Sequence, residues 1–267
     1  MKSVVITGST KGIGLGMARE FLKKECCVVM SGRSVLKIEQ EVQDLGRQFG
    51  SDRIIARSCD VTDINQVRAL WDAGKKAFDR VDIWINNAGV DTTMLPLWEL
   101  DAAEIAPAIS TNITGLIYGC QVALQGMLDQ GSGQIYNMLG FGSGDMMRPG
   151  MTVYGTSKRA VKYFTDSLIE EAKGTPVQIG TLGPGMVVTD FMIEGMRKMS
   201  PEQREDVKTI YNMLADTVET VTPFLTENIL NNDQTGAEID WLTTEKAHAR
   251  FEDEAYLSRD LFSKYGL

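Results

Sequence analysis

Short apolar runs rich in β-branched residues alternate along this chain with longer stretches of helical periodicity, and this alternation limits the fold most strongly. Gly, Asn or Asp closes the runs, as is typical of βαβ units that build a parallel sheet. The runs that predict strands are Ser3–Thr7, Cys27–Ser31, Ile54–Cys59, Val81–Asn86, Gly133–Met138, Val177–Leu182 and Ala237–Trp241. We therefore expect an α/β fold with a doubly wound parallel sheet.

No repeat, low-complexity tract or Pro/Ser-rich linker divides the 267 residues, which predicts one domain over residues 1–267. Asp101 and Glu104 resemble an acidic capping box that opens a helix. Residues 190–230 are the least strand-like, and we expect them to form a helical lid over a substrate. The tail, residues 247–267, carries aromatic and leucine side chains among charges. We expect this tail to dock on the domain or on a neighbouring subunit.

The charge and the cysteines exclude several classes of protein. A net charge of −9 argues against partners such as nucleic acid or anionic membranes, which recruit clustered Lys and Arg. The N-terminus has no long apolar signal region, so we expect a cytoplasmic protein. Four cysteines without a C-x-x-C pair suit buried thiols, and the single histidine, His248, suits an exposed helix face. We therefore expect no metal site.

A glycine-rich loop follows the first predicted strand and leads into a helix. Its residues are Gly8, Ser9, Thr10, Lys11, Gly12, Ile13 and Gly14. Glycines in such a loop let backbone N–H groups approach a pyrophosphate at the helix N-terminus, where the helix dipole favours anions. The loop predicts a dinucleotide site; the alternative is a structural turn.

The second predicted strand discriminates between dinucleotides. Chains that bind NAD commonly end this strand with Asp or Glu, whereas here it ends in Ser31, Gly32 and Arg33. Arg33 and Lys11 could both contact a ribose 2′-phosphate through charge-assisted hydrogen bonds. We therefore expect NADPH or NADP⁺ rather than NADH; the alternative is that Arg33 is only a solvated residue.

Further motifs follow the glycine loop: Asn86-Asn87-Ala88-Gly89, Asn112, Tyr154-x-x-x-Lys158 and Pro184-Gly185 leading to Thr189. In this order and spacing, the chain resembles the short-chain dehydrogenase/reductase family over essentially its whole length. The resemblance implies a Rossmann fold and an NADP(H)-dependent oxidoreductase that acts on a carbonyl or alcohol.

Tyr154 and Lys158 stand four residues apart, so they share one face of a helix. The lysine ammonium can then lower the tyrosine pKa from about 10, which would make Tyr154 a general acid–base near neutral pH. By resemblance, Lys158 also holds the nicotinamide ribose, and Asn112 keeps a water molecule that relays protons to it. The alternative for Asn112 is polar packing within a helix.

The resemblance also implies the remaining cofactor contacts. Asp60 and Val61 match the pair that contacts adenine, and Asn87, Ala88 and Gly89 lie along the cofactor. Thr189 matches the contact to the carboxamide, in a segment with Pro184, Gly185 and Val187. Helix caps and turns are the alternatives for these residues.

One position departs from the family pattern. The serine that normally stands thirteen residues before the tyrosine is Phe141 here, and the nearest serine is Ser143. Glycines on both sides could bring Ser143 to the same place. Ser143 is therefore either a substrate contact or an ordinary loop residue.

The segments Asn137–Ser143, Pro184–Asp190 and Glu238–Lys246 resemble the chlorophyll(ide) b reductase branch, which implies reduction of a formyl group with NADPH. Methionines are frequent between residues 138 and 213, which suits either a bulky apolar substrate or the filling of gaps in the core.

Two other functions are alternatives to a carbonyl reductase: an oxidative alcohol or hydroxysteroid-type dehydrogenase, and a non-catalytic dinucleotide-binding regulator. The family also implies a homodimer or homotetramer built on helices 101–127 and 152–173.

Overall fold

A computed structural model describes residues 1–197 and 199–267, so residue 198 of the expected lid lies outside the described residues. The strands within the described part are β1 (Ser3–Ile6), β2 (Cys27–Gly32), β3 (Ile54–Ser58), β4 (Ile83–Asn86), β5 (Gly133–Met138), β6 (Val177–Gly183), β7 (Met186–Val188), β8 (Ala215–Thr217) and β9 (Glu238–Asp240). Seven of them form one parallel sheet in the order β3-β2-β1-β4-β5-β6-β9. The predicted doubly wound sheet is therefore confirmed.

The helices of the described residues are α1 (Gly12–Lys23), α2 (Val35–Phe49), α3 (Ile64–Phe78), α4 (Ala102–Ile109), α5 (Leu116–Gln130), α6 (Thr152–Glu171), α7 (Asp190–Arg197), α8 (Pro201–Leu214), α9 (Val218–Asn231), α10 (Thr244–Phe251) and α11 (Glu254–Leu257). A π-helical turn, Ser110–Gly115, joins α4 to α5. Short 3₁₀ turns cover Ser51–Arg53 and Ser263–Tyr265.

Two apolar layers sandwich the sheet because successive strand residues point to opposite faces. Val4 and Ile6 pack in one layer, with α1, α2 and α9, while Val5 packs in the other, with α3, α5 and α6.

All four cysteines are buried and free, as predicted. His248 is exposed on α10, also as predicted.

A third, smaller core joins the end of the sheet to the C-terminal tail. It contains Val188, Ile193, Met196, Val207 and Phe262, from β7, α7, α8 and the tail. The tail therefore docks on its own chain. The strands β7 and β8 of this region pair with each other in parallel and were not expected from the sequence.

The tail is also fixed by a buried carboxylate on β8. Asp216 accepts hydrogen bonds from Arg250 at 2.6 Å, from Arg259 at 3.2 Å and from the indole N–H of Trp241 at 2.6 Å. Both guanidinium groups also lie over the Tyr256 ring, with their carbons 4.6 Å and 4.5 Å from its centroid. Asp216 thus connects α10 and the residue Arg259, which follows α11, to the small two-stranded sheet.

The order of the main sheet places its switch point at β1, which pairs with both β2 and β4. The chain winds in opposite directions from these two neighbours. In open α/β sheets, ligands bind at such a point, beyond the carboxyl ends of the strands. The glycine loop after β1 and Asn87 after β4 both lie there.

Candidate active site

The glycine loop needs its glycines because backbone segments approach each other closely. Gly8 has a φ of +64°, and a Cβ there would lie 2.8 Å from the Cα of Ala88. A Cβ on Gly14 would lie 2.7 Å from the carbonyl oxygen of Gly8. Helix α1 begins within this loop, at Gly12, and no side chain of the described residues caps its N-terminus. Its N–H groups are therefore available to an anion.

Three side chains hold this loop in place. The Thr7 hydroxyl accepts the N–H groups of Asn87 and Ala88, each at 3.0 Å, and the Asn87 amide donates to the carbonyl oxygens of Thr7 and Gly8. The Ser9 hydroxyl donates to Ile6 and accepts the N–H of Ser31, and the N–H of Ser9 donates back to Ser31. Ser9 and Asn87 therefore shape the cradle with groups that are already hydrogen-bonded. The prediction omitted Thr7.

Lys11 and Arg33 occupy neighbouring positions at the edge of the loop. The residues before them are in contact, since a Cβ on Gly32 would lie 2.9 Å from the Cγ2 of Thr10. Both cationic side chains are exposed, and neither forms a hydrogen bond or ion pair with the described residues. Ile13, between Gly12 and Gly14, packs on the core. Two exposed cations beside an uncapped helix N-terminus fit a dinucleotide that carries a ribose phosphate.

Asp60 and Val61 follow β3 at the same edge of the sheet. The Asp60 carboxylate accepts the N–H of Thr62 at 3.0 Å and its hydroxyl at 2.8 Å. Val61 is buried, and a Cβ on Gly115 would overlap with it. The side chain of Asp60 thus closes a turn, and Val61 packs against the π-helical turn.

The segment after β6 returns to the glycine loop. Pro184 leads into Gly185, whose φ is +69°, and Val187 is buried in β7. A Cβ on Gly12 would lie 3.4 Å from the Cγ2 of Thr189. The structure therefore brings Thr189 to the start of α1, as a shared cofactor site requires.

Tyr154 and Lys158 lie on the first turns of α6 and meet over Gly140, just beyond the end of β5. A Cβ on Gly140 would lie 2.5 Å from the Tyr154 Oη and 3.2 Å from the Lys158 Cε. The Lys158 Nζ donates to the carbonyl of Met138 at 3.1 Å and lies 5.7 Å from the centroid of the tyrosine ring. The structure thus brings the two predicted catalytic side chains together.

Asn112 lies in the π-helical turn, a distortion that occurs often at functional sites. Its Oδ1 accepts the N–H of Val90 at 2.8 Å, and its Nδ2 donates to the Val90 carbonyl at 2.8 Å and to the Ser157 hydroxyl at 3.0 Å. A Cβ on Gly89 would lie 3.4 Å from Oδ1 and 3.9 Å from the Lys158 Nζ. The asparagine side chain therefore connects the loop after β4 to α6.

Burial dominates the electrostatics of this site. It raises the pKa of Tyr154 above its usual range, and the carboxylate of Asp91 acts in the same direction. Burial also lowers the pKa of Lys158 to about 8, with Asp91 opposing that shift. The sequence predicted a lowered tyrosine pKa, whereas the structure gives a raised one, because loss of hydration disfavours the phenolate.

Ser143 lies in a tight turn next to the reacting groups. Its hydroxyl donates to the carbonyl of Gly140 at 2.8 Å, and its own carbonyl accepts from Arg159 at 3.1 Å. Gly142, with a φ of +90°, touches Gly155 on α6 and so holds the turn beside Tyr154. Ser143 is therefore one hydrogen bond away from the glycine that contacts the Tyr154 hydroxyl.

Two titratable residues near this centre were not predicted. Asp91 follows the loop after β4, and Tyr211 comes from α8, where its ring packs edge-on against Phe262 with centroids 6.4 Å apart. Both interact electrostatically with Tyr154. The only sequence signal for Asp91 is its position two residues after Gly89, and Tyr211 has none.

A surface cavity of about 490 Å³ lies at the opposite edge of the sheet, lined by Met1, Ser3, Cys27, Asp52 and residues 75–79. It contains none of the motif residues. We place the active site at the carboxyl edge, because the paired tyrosine and lysine, the open helix N-terminus and the two exposed cations converge there.

Comparison with known proteins shows the family of this chain. A family model described as short chain dehydrogenase matches residues 2–200. The chloroplastic chlorophyll(ide) b reductase NOL of Arabidopsis thaliana is 38% identical over 85% of this chain and 65% of its own length. The NOL protein of Oryza sativa subsp. japonica is 36% identical over 93% of this chain and 73% of its own length.

Among solved structures, ElxO with bound NADP superposes with a TM-score of 0.76 at 28% identity. The match covers 90% of this chain and 97% of ElxO. The actinorhodin polyketide ketoreductase gives a TM-score of 0.80 at 23% identity, over 92% of this chain and 97% of the ketoreductase, which supports the fold.

The expected cytoplasmic location is contradicted by these relatives, because the plant chlorophyll(ide) b reductases are chloroplastic proteins. That expectation rested on the lack of a secretion-like apolar segment, a feature that says nothing about plastids. Within residues 1–197 and 199–267, no helix is both long and apolar enough to cross a membrane. The same residues contain no cluster of three metal-ligating side chains.

Proposed function

This chain belongs to the short-chain dehydrogenase family, and we propose that it is an NADPH-dependent reductase that converts an aldehyde or ketone to an alcohol, with Tyr154 as the proton donor. The observation that carries this proposal is the meeting of the Tyr154 hydroxyl and the Lys158 side chain over Gly140. Asn112 supports the same centre through Val90 and Ser157.

In this mechanism Tyr154 donates its hydroxyl proton to the carbonyl oxygen of the substrate. NADPH, when bound, supplies the hydride for the carbonyl carbon. The Lys158 ammonium stabilises the negative charge that develops on the tyrosine oxygen, and its pKa of about 8 lets it give up a proton afterwards. The Asn112 side chain already makes three hydrogen bonds, to Val90 and Ser157, so we propose that a water relay to Lys158 uses a backbone carbonyl of the π-helical turn.

Burial raises the pKa of Tyr154, so the phenol is protonated at neutral pH, which is the form from which reduction of a carbonyl starts. The oxidation of an alcohol would start from the phenolate, which burial disfavours. Because a raised pKa also makes the phenol a weaker acid, the proton transfer depends on the Lys158 ammonium beside it. A non-catalytic regulator would have no use for a tyrosine and a lysine that converge in this way.

The choice of NADPH rests on Lys11 and Arg33, whose charged groups pair with no described residue at the edge of the glycine loop. NADP bound to ElxO, at 28% identity, supports the same choice. Gly8, Gly12 and Gly14 would let the pyrophosphate approach the N–H groups of α1.

We further propose a bulky, largely apolar substrate that carries a formyl group. The relatives are chlorophyll(ide) b reductases, and their chloroplastic location supports a pigment of this kind. Trp98, Met146 and Met147 are 85%, 72% and 94% exposed, on two segments that touch where Gly150 meets Met94. These side chains offer an apolar surface beside the site, whereas Met138 and Met196 are buried and fill the core.

The lid is narrower than the sequence suggested. The helix α9 packs against α1 and belongs to the main core, since a Cβ on Gly16 would overlap with Val218. We therefore limit the proposed lid to α7 and α8, which share the third core with the tail.

The exposed side chains of Leu128 on α5 and Tyr163 on α6, 43% and 75% exposed, support assembly of subunits through these helices. Light scattering after gel filtration should give the mass of a dimer or tetramer.

The substrate proposal is tested by incubating the protein with NADPH and chlorophyllide b and separating the pigments by chromatography. We expect the 7-formyl pigment to be converted to the 7-hydroxymethyl product. Simple neutral aldehydes serve as the comparison. Turnover of those aldehydes without any conversion of the pigment would refute the pigment substrate and retain the reductase.

A further inference from the structure

Asp91 is held in a fixed place beside the reacting groups. The residue before it, Val90, is bound at both its N–H and its carbonyl by the amide of Asn112. Gly89, one residue earlier, approaches Lys158, where a Cβ would lie 3.9 Å from the Nζ. On the other side, the Glu104 carboxylate binds the N–H and hydroxyl of Thr93 at 2.7 Å and 3.0 Å. The loop therefore cannot carry Asp91 away without breaking these bonds.

The carboxylate of Asp91 has spare hydrogen-bonding capacity. One oxygen accepts the N–H of Thr92 at 2.8 Å, and no other described residue donates to the side chain. No cation of the described residues pairs with it within ion-pair distance. Asp91 is only partly exposed, so this carboxylate is a largely desolvated acceptor with an open oxygen. A desolvated carboxylate of this kind is stabilised by a hydrogen-bond donor or a cation, and it repels a second negative charge.

The titratable groups around Asp91 define its charge. Burial raises the pKa of Asp91 to about 6, with Glu104 adding to the rise and Lys158 opposing it. Tyr154 and Tyr211 also face it, and Asp91 raises the pKa of both. Arg148 acts against Asp91 by lowering the pKa of Tyr211. Asp91 is therefore negatively charged above about pH 6 and neutral below it.

We propose that Asp91 selects substrates by charge, an inference that rests on the proposed reductase function. Asp91 disfavours carbonyl compounds with an anionic group near the carbonyl, and it accepts neutral compounds or hydrogen-bond donors. The selection acts at the reacting centre, because Asp91 belongs to the same cluster as Tyr154 and Lys158. One relative, sulfoacetaldehyde reductase 2 of Chromohalobacter salexigens, is 32% identical over 71% of this chain. Its name specifies an anionic aldehyde. This chain would disfavour a compound of that type.

The test compares two aldehydes of nearly equal shape, 4-formylbenzoate and its methyl ester. As a general estimate, two like charges about 7 Å apart in a partly solvated cleft repel each other enough to change kcat/KM by about tenfold to fiftyfold. We expect the kcat/KM of the parent enzyme at pH 7 to be at least about tenfold higher for the ester than for 4-formylbenzoate. The preference should shrink at pH 5, where Asp91 is mostly protonated and 4-formylbenzoate is still mostly ionised.

Asp91→Asn keeps the shape and removes the charge. We expect it to reduce the preference for the ester at pH 7 by at least fivefold and to remove the change between pH 5 and 7. The matched control is Asp145→Asn, because Asp145 is 96% exposed on a neighbouring loop. An unchanged ratio in Asp91→Asn, or an equal change in Asp145→Asn, would overturn the proposal.

A second readout does not depend on turnover. Calorimetry of 4-(hydroxymethyl)benzoate and its methyl ester should show the same preference for the ester in the parent and its loss in Asp91→Asn. A parent that reduces neither these aldehydes nor chlorophyllide b contradicts the proposed reductase alone, since these binding constants still support or overturn charge selection. Equal binding of the two alcohols to the parent at pH 7 would overturn it.

Discussion

Gly140→Ala should disable the enzyme by moving one hydroxyl group. Gly140 does not have a positive φ, so alanine fits its backbone conformation. The added methyl group would stand 2.5 Å from the Tyr154 Oη, 3.3 Å from its Cζ and 3.2 Å from the Lys158 Cε. The tightest contact therefore falls on the atom that we propose donates the proton.

The size of the effect follows from these distances. A carbon and an oxygen that are not bonded approach to about 3.4 Å, so the hydroxyl has to withdraw by about 0.9 Å. A displacement of about 1 Å at a reacting centre costs on the order of a hundredfold in rate. We expect kcat to fall by about a hundredfold while the dissociation constant for NADPH stays within about threefold, because the glycine loop is untouched.

The assay is the initial rate of NADPH oxidation with a neutral aldehyde, measured with Gly144→Ala as the control. A Cβ on Gly144 meets nothing within 4 Å, so that variant should behave like the parent. Adding Gly140→Ala to Tyr154→Phe should have little further effect, since the clashing oxygen is gone. A Gly140→Ala enzyme with at least a third of the parental kcat would refute the geometry that we assign to Tyr154.

Four further substitutions test other parts of the site. Arg33→Asp and Lys11→Ala should raise the KM for NADPH by at least tenfold more than the KM for NADH, and equal effects in steady-state kinetics would refute the cofactor assignment. Ser143→Ala should lower kcat by about a hundredfold if its hydroxyl leaves the Gly140 carbonyl for the substrate, and a loss below threefold would remove it from the mechanism. Asp91→Asn should increase the free energy of urea unfolding by about 1–3 kcal/mol at pH 8, because ionising a carboxyl whose pKa is raised to about 6 costs stability as the pH rises from about 4 to 6. That gain should disappear at pH 4, and an equal gain at both pH values would contradict the shift.

The main sheet could be predicted from the sequence because its central strands are buried on both faces. Such strands are continuous apolar runs, as in Cys27–Gly32, and glycines mark their ends. The strands β7 and β8 are three residues each and pair across 26 intervening residues, so no local pattern reveals them. Asp101 does cap α4, since its carboxylate accepts the N–H of Ala103 at 2.8 Å, but the expected capping box is incomplete because Glu104 binds Thr93 instead.

The catalytic motifs could be predicted because their spacing is local: Tyr154 and Lys158 share a helix face whatever surrounds them. The pKa of Tyr154 could not, because it depends on how deeply the ring is buried and on Asp91, which comes from another loop. For the same reason, Tyr211 and the close approach at Gly140 become visible only when α8, β5 and α6 are packed together.

The central claim is that Tyr154 donates the proton in an NADPH-dependent reduction, and Tyr154→Phe tests it most directly. Fluorescence titration should give the same dissociation constant for NADPH in this variant and in the parent, within about threefold. Steady-state reduction of a carbonyl substrate should fall by at least about a thousandfold, since general acid catalysis contributes on the order of 10²–10⁴. A Tyr154→Phe variant that still reduces the substrate at a rate close to that of the parent would contradict the account.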